Sequence, residues 1–213
     1  MKDGFNWRCA PGGFSVKSVY DKLCAYGESN SGFTTECLSS LRFMWKSGTL
    51  GNIQVFGWRL IHSRLQTRDE LFKRHVISGQ HNHGCPLCLH HNENHTQLFL
   101  YCQVTKEVWL SIFAWVRLAG FYSSVSVYDH LSWFVSIMPG GIKKSRKTLI
   151  WLSVVRAIWL IRNDILFNGR LQGSREIVVV AKSLAWEWLC AVKHGQCPLT
   201  HDEWNLCPLL ALS

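Results

Sequence analysis

Apolar positions recur at helical spacing along most of this chain. Val16, Val19, Tyr20, Leu23 and Cys24 follow an i, i+3, i+4, i+7 order behind Ser15, which is placed to cap that helix. Residues 27–35 then form a polar loop rich in Ser, Asn and Gly. Leu41, Phe43, Met44 and Trp45 make a short apolar segment that ends at Gly48 and Gly51. Ile53, Phe56, Leu60 and Ile61 share one helix face, with Trp58 at its flank and Arg59 and Arg64 turned toward solvent. Thr67, Arg68, Asp69 and Glu70 read as a capping box that starts a helix running through Leu71 and Phe72 to Arg74. Gln97 to Cys102 reads as a short helix, and Val108, Trp109, Ile112, Phe113 and Val116 give a strong amphipathic one that Gly120 ends.

A shorter pattern through Val127, Leu131 and Phe134 precedes the break at Pro139, Gly140 and Gly141. From Lys143 the spacing predicts one long helix to about Phe167, apolar on much of its circumference and ending near Asn168 and Gly169. Ser174 is placed to cap another, in which Ile177, Ala181, Leu184 and Trp188 repeat. The tail after Gly195 holds two prolines and no period, and is expected to pack as an extended strap. Few strand-like alternations and no internal repeat occur, so the fold class is mainly α. The break divides it into an N-terminal module, residues 1–138, and a long-helix C-terminal region, residues 139–213.

Composition bears on partners more than on fold. With 213 residues, 47% of them apolar, and eleven tryptophans, the chain has ample material for a core. The formal net charge of +9 favours an anionic partner, nucleic acid before membrane. The longest apolar run, Leu149 to Ile161, is interrupted by Arg156 and is far shorter than the roughly 20 residues that cross a bilayer, so no membrane span is expected. The nine cysteines are odd in number and no apolar signal core opens the chain. Both argue against a secreted disulfide framework and for reduced thiols in an intracellular setting, nuclear or cytoplasmic.

The most specific chemical signal is the pair Cys85 and Cys88 with Cys102 to follow. A C-x-x-C pair on a tight turn is one half of a structural zinc site, and a redox pair would instead sit beside a βαβ unit, which is not evident here. Cys102 suits the second half. His95 lies six intervening residues before Cys102, so it can serve as the fourth ligand only from the loop ahead of the helix. His81, His83, His90 and His91 are further candidates.

Two basic stretches accompany this site. Arg59, Arg64, Arg68, Lys73 and Arg74 lie close in sequence to the cysteine turn, and Lys143, Lys144, Arg146 and Lys147 open the long helix. Either can contact phosphates. The second is equally a solvated collar, mildly opposed by the helix dipole. Phosphate-loop, G-x-S-x-G, H-E-x-x-H and deaminase signatures are missing, and the fourteen acidic residues form no evident two-metal cluster. No enzymatic activity is expected. The sequence assigns no oligomeric state.

Together these residues resemble the zinc-binding domain that follows the reverse transcriptase in plant non-LTR (LINE-type) retrotransposons. The similarity is carried by Trp7 and Gly13 to Tyr20, by Phe43 to Lys46, Val55 to Leu60 and Arg64 to Arg68, and by Cys85 to Cys88, Leu98, Phe99, Cys102 and Trp109. Trp159, Arg162, Asn163, Asp164, Phe167 and Asn168 are similar to the helical region that often comes next. The resemblance implies a non-enzymatic zinc-knuckle module, part of a retroelement polyprotein without its polymerase or endonuclease, that helps to hold template RNA or target DNA. It also implies a truncated or standalone gene product. Two positions depart from the family pattern: Gln97 stands where it has a histidine, and Gln54 where it commonly has a lysine. At Gln97 three readings stay open: His95 substitutes, three ligands hold zinc weakly, or a decaying copy holds none.

Overall fold

Residues 149–155 of the longest helix are buried on every side, and the other helices are laid against that segment. The computed structural model describes residues 35–77, 84–118, 126–139, 141–193 and 199–209. The helix expected behind Ser15 and most of the polar loop that follows it lie outside them. Eight α-helices are described: α1 (Thr35–Trp45), α2 (Gly51–Ile61), α3 (Arg68–Lys73), α4 (Gln103–Trp115), α5 (Val127–Ile137), α6 (Lys144–Asn168), α7 (Ser174–Val192) and α8 (His201–Leu206). A π-helical turn, Gln97–Tyr101, precedes α4. Among the described residues there is no strand, and a single antiparallel bridge joins Gly84 to Asn92. The fold is mainly α.

Helix α6 ends where the sequence places its stop. Gly169 takes a left-handed φ of 65° and its N–H reaches the Ile165 carbonyl, a conformation cheap for glycine. Along its length α6 meets α7 most extensively and also packs against α1, α2 and α5. Gly57 permits the closest of these approaches. A Cβ there would lie 2.6 Å from Met44 Sδ and 2.7 Å from Leu152 Cδ2, so the missing side chain lets α1, α2 and α6 converge. One hydrophobic core runs from Cys37 on α1 to Trp204 on α8 and includes residues on both sides of Pro139.

The tail departs from the expected extended strap. Residues 201–206 form α8, started by Thr200, whose Oγ1 accepts from the Glu203 N–H while the Glu203 carboxylate accepts from the Thr200 N–H. That box was readable as T-x-x-E in the sequence. It delivers Trp204 into the core, where its indole donates to the Lys182 carbonyl and its own carbonyl accepts from Trp115. The expectation of reduced thiols also changes in part: Cys37, Cys85, Cys88, Cys102 and Cys207 are in no disulfide, whereas Cys190 is disulfide-bonded.

Two buried polar groups carry stability consequences. Glu93, in the loop before the π-turn, accepts from Arg162 of α6 through both carboxylate oxygens, at 2.7 and 2.6 Å, with both side chains sealed from solvent. A variant Arg162→Leu strands the Glu93 charge and is expected to lose about 3–5 kcal/mol. Adding Glu93→Gln removes the stranded charge and recovers part of that loss. Urea unfolding of the two variants checks both statements.

His130 of α5 is enclosed by the rings of Trp109, Phe113 and Trp133 and accepts from the Trp151 indole at 3.0 Å. Burial pushes its pKa down from the usual 6.5 to about 3. Between those values the unfolded chain binds a proton that the folded chain refuses. The stability is therefore complete above about pH 6.5 and declines as pH falls, by up to about 1.4 kcal/mol per pH unit. Replacing His130 by Gln is expected to flatten the unfolding free energy between pH 6.5 and 5, as measured by denaturant titration.

Candidate metal centre

The cysteine turn is built by backbone hydrogen bonds. The Cys85 N–H donates to the His91 carbonyl and the Leu89 N–H to the Cys85 carbonyl, with Leu89 at a left-handed φ of 60°. This geometry curls Cys85 and Cys88 to one side. Cys102 comes from the other side, out of the π-turn. There the Cys102 N–H donates to the Gln97 carbonyl at 2.6 Å, five residues back. An i→i+5 bond stacks residue 102 over residue 97, where an ordinary α-turn would set them on different faces. Both side chains thereby meet the cysteine turn.

The sulfurs of Cys85, Cys88 and Cys102 lie within 4.8 Å of one another, and all three residues are buried. The Cys85 and Cys102 sulfurs are 3.9 Å apart. A tetrahedral zinc with bonds of about 2.3 Å spaces its thiolates about 3.8 Å apart, so this donor set suits zinc. Within the pair the Cys85 thiol donates to Cys102. That bond, together with burial, holds Cys85 well above the ordinary thiol range, and the same bond lowers Cys102.

His95 does not join the cluster. It is buried and its Nε2 lies 3.2 Å from the Leu65 carbonyl, so the structure places the expected fourth ligand away from the three sulfurs. The reason is positional: His95 opens the α-turn ahead of the π-turn and faces the loop after α2. His90 and His91 are exposed, while His81 and His83 lie outside the described residues. The side chain that does reach the sulfurs is Gln97. Its Nε2 is 3.5 Å from Cys88 Sγ, and its Oε1 is buried without a hydrogen-bond partner. A buried amide oxygen with no donor is costly, and a cation beside it would relieve the cost.

The basic residues divide by what already holds them. Arg59 and Arg64 are exposed. Lys73 pairs with Asp69 and Glu70, and Arg74 stands 3.9 Å from Glu70. Arg68 is used inside the fold, its Nη1 donating to the Gly84 carbonyl at 2.5 Å and its backbone N–H to Glu93. At the start of α6, Lys143 and Lys144 are exposed and Arg146 is half-buried. Lys147 is placed differently from its neighbours: it is buried, and its Nζ donates to the carbonyls of Val135 and Met138 at the end of α5. Sequence reading missed Glu93 and Arg162 as a pair, because charges 69 residues apart leave no local signal. The apolar positions Trp109, Ile112, Phe113 and Val116 lie in the core. No described helix is long and apolar enough to cross a membrane.

Residues 14–109 match the model of a family described as zinc-binding in reverse transcriptase, a span that contains all three clustered cysteines. No curated protein and no solved structure matches the chain.

Three substitutions sort the donor set. Cys85→Ser is expected to abolish tight zinc binding, measured by competition with a chromogenic chelator. His95→Ala should leave zinc stoichiometry unchanged. Gln97→His is expected to tighten binding by on the order of tenfold or more, since imidazole is the better ligand for this metal.

Proposed function

We propose that this chain is a non-enzymatic, zinc-stabilised module derived from the reverse transcriptase polyprotein of a plant LINE-type retrotransposon, and that it contacts the backbone of RNA or DNA. The observation that carries the reading is the buried triad of Cys85, Cys88 and Cys102 inside the matched span. Gln97, whose amide nitrogen lies against Cys88 Sγ, offers a fourth, oxygen ligand once its amide is turned over. Zinc bound there supplies a rigid crosslink between the cysteine turn and the π-turn.

The residues around the triad extend its hold outward. Glu93 lies between the two halves of the site and joins Arg162 of α6 to the first N–H of α3. Arg68 returns from α3 to Gly84, next to Cys85. The knuckle, the start of α3 and α6 thus form one connected polar frame, and the segment from Arg59 to Arg74 is presented by it. Arg59 and Arg64 are the exposed cations of that segment that no described carboxylate pairs, suited to phosphate. Lys143 and Lys144 form a second, separate basic end.

The reading is tested in two steps. Purified protein is expected to carry one zinc per chain by elemental analysis, and the Cys85→Ser, Cys88→Ser double variant to carry none. Binding to RNA and to DNA is expected to weaken with added salt, the logarithm of the association constant falling by roughly 0.7–0.9 per phosphate contact for each tenfold rise in salt. Metal-free native protein would end the first half of the reading, and an affinity indifferent to salt would end the second.

A further inference from the structure

Two clefts adjoin on the face between α2, α3 and α6, and they share Gln66 and Trp159. The first, about 510 Å³, gathers four arginines from separate elements: Arg59 of α2, Arg64 of the loop after it, Arg74 at the end of α3 and Arg156 of α6. No carboxylate lines it. Among the described residues, Arg59, Arg64 and Arg156 have no ion-pair partner. Aromatic faces orient two of these guanidinium groups: Arg64 lies 5.8 Å from the Trp58 ring centre and Arg156 5.0 Å from that of Phe56. Three uncompensated charges around one hollow, with Arg74 already near Glu70, repel each other and lower the energy of an anion that enters.

The second cleft, about 460 Å³, is different in kind. Leu71, Ile77, Leu166 and Phe167 line it with Trp159, and the Arg162 guanidinium at its edge is already paired with Glu93. Phe167 is 76% exposed, an unusual cost for a large apolar side chain unless something flat covers it.

We propose that the joined clefts bind single-stranded nucleic acid, with phosphates among Arg59, Arg64, Arg74 and Arg156 and a splayed base in the apolar cleft against Trp159 and Phe167. A double helix offers phosphates but keeps its bases stacked inside, so only an unpaired strand can fill both hollows at once. The inference rests on the reading that this module contacts nucleic acid, and it narrows the ligand to unpaired strands. It also brings in Arg156, which sequence reading registered only as the interruption of an apolar run.

The test uses the full chain with two fluorescein-labelled probes, a short oligouridine and an RNA duplex of equal length, followed by anisotropy across a salt series. The oligouridine is expected to bind tighter than the duplex by on the order of tenfold. Arg59→Ala and Arg64→Ala should each weaken oligouridine binding and lower its salt slope by about 0.7. Phe167→Ala, at an exposed site that folding does not need, and Trp159→Leu should weaken oligouridine about fivefold or more while leaving duplex binding unchanged. Arg175→Ala on α7 serves as the charge control and should change neither. If both probes bind equally well, or the cleft variants behave like Arg175→Ala, the single-strand site is overturned while nucleic-acid binding itself stands. If neither probe binds, both readings fall.

Discussion

Two opposite charges held out of water face each other where the cysteine knuckle meets the long helix. Glu93 and Arg162 are almost completely buried, and each satisfies the other through a two-pronged hydrogen-bonded contact. Arg162 also lies with its guanidinium 4.9 Å from the ring centre of Trp159, and Glu93 takes a third donor from the Arg68 backbone. Such a pair gives little net stability compared with an apolar replacement, but it is unforgiving of misplacement, because either charge alone in that interior is strongly unfavourable. It therefore sets the position of the loop that carries both halves of the metal site relative to α6. The clefts beside Trp159 inherit their shape from the same junction.

The knuckle itself is a compromise between backbone and side-chain demands. A regular helix after Thr96 would point Gln97 and Cys102 apart. The π-turn spends one extra residue per hydrogen-bonded loop to bring them together, a local cost that such turns commonly carry at functional sites. What the turn delivers opposite the three sulfurs is an amide, not an imidazole. Gln97 is buried with its oxygen unsatisfied. An amide oxygen is a harder and weaker donor to zinc than a histidine nitrogen. Three sulfurs are thus brought together with an amide beside one of them, where Gln97 Nε2 lies 3.5 Å from Cys88 Sγ.

Charge is distributed with a similar division of labour. Of the nine cations singled out from the sequence, Arg68 and Lys147 are consumed by the fold, one on the Gly84 carbonyl and the other on the end of α5. Lys73 is neutralised by its own helix. The positive face that remains is smaller than the formal charge of +9 suggests, and it is concentrated where arginines stand over aromatic rings. Guanidinium groups keep their charge when partly desolvated, so a half-buried arginine such as Arg156 still presents a cation to solvent.

The helical spacing, the cap at Thr67 and the stop at Gly169 were legible in the chain because each depends on residues within one or two turns of each other, and the Cys85, Cys88, Cys102 triad was legible from its residue types, although Cys102 lies 17 residues from Cys85. The α8 box was legible too and was passed over for the prolines around it. Other features answer to contacts that no local pattern encodes. Whether His95 or Gln97 faces the sulfurs turned on a single extra residue in the π-turn. The fate of Lys147 depended on where α5 ends, and the partner of Glu93 lay 69 residues away. Sequence alone determined most of the described helices, α8 excepted, and which thiols can share a metal. Tertiary packing decided which charges are spent and which are left facing a ligand, since burial and pairing are properties of neighbours in space.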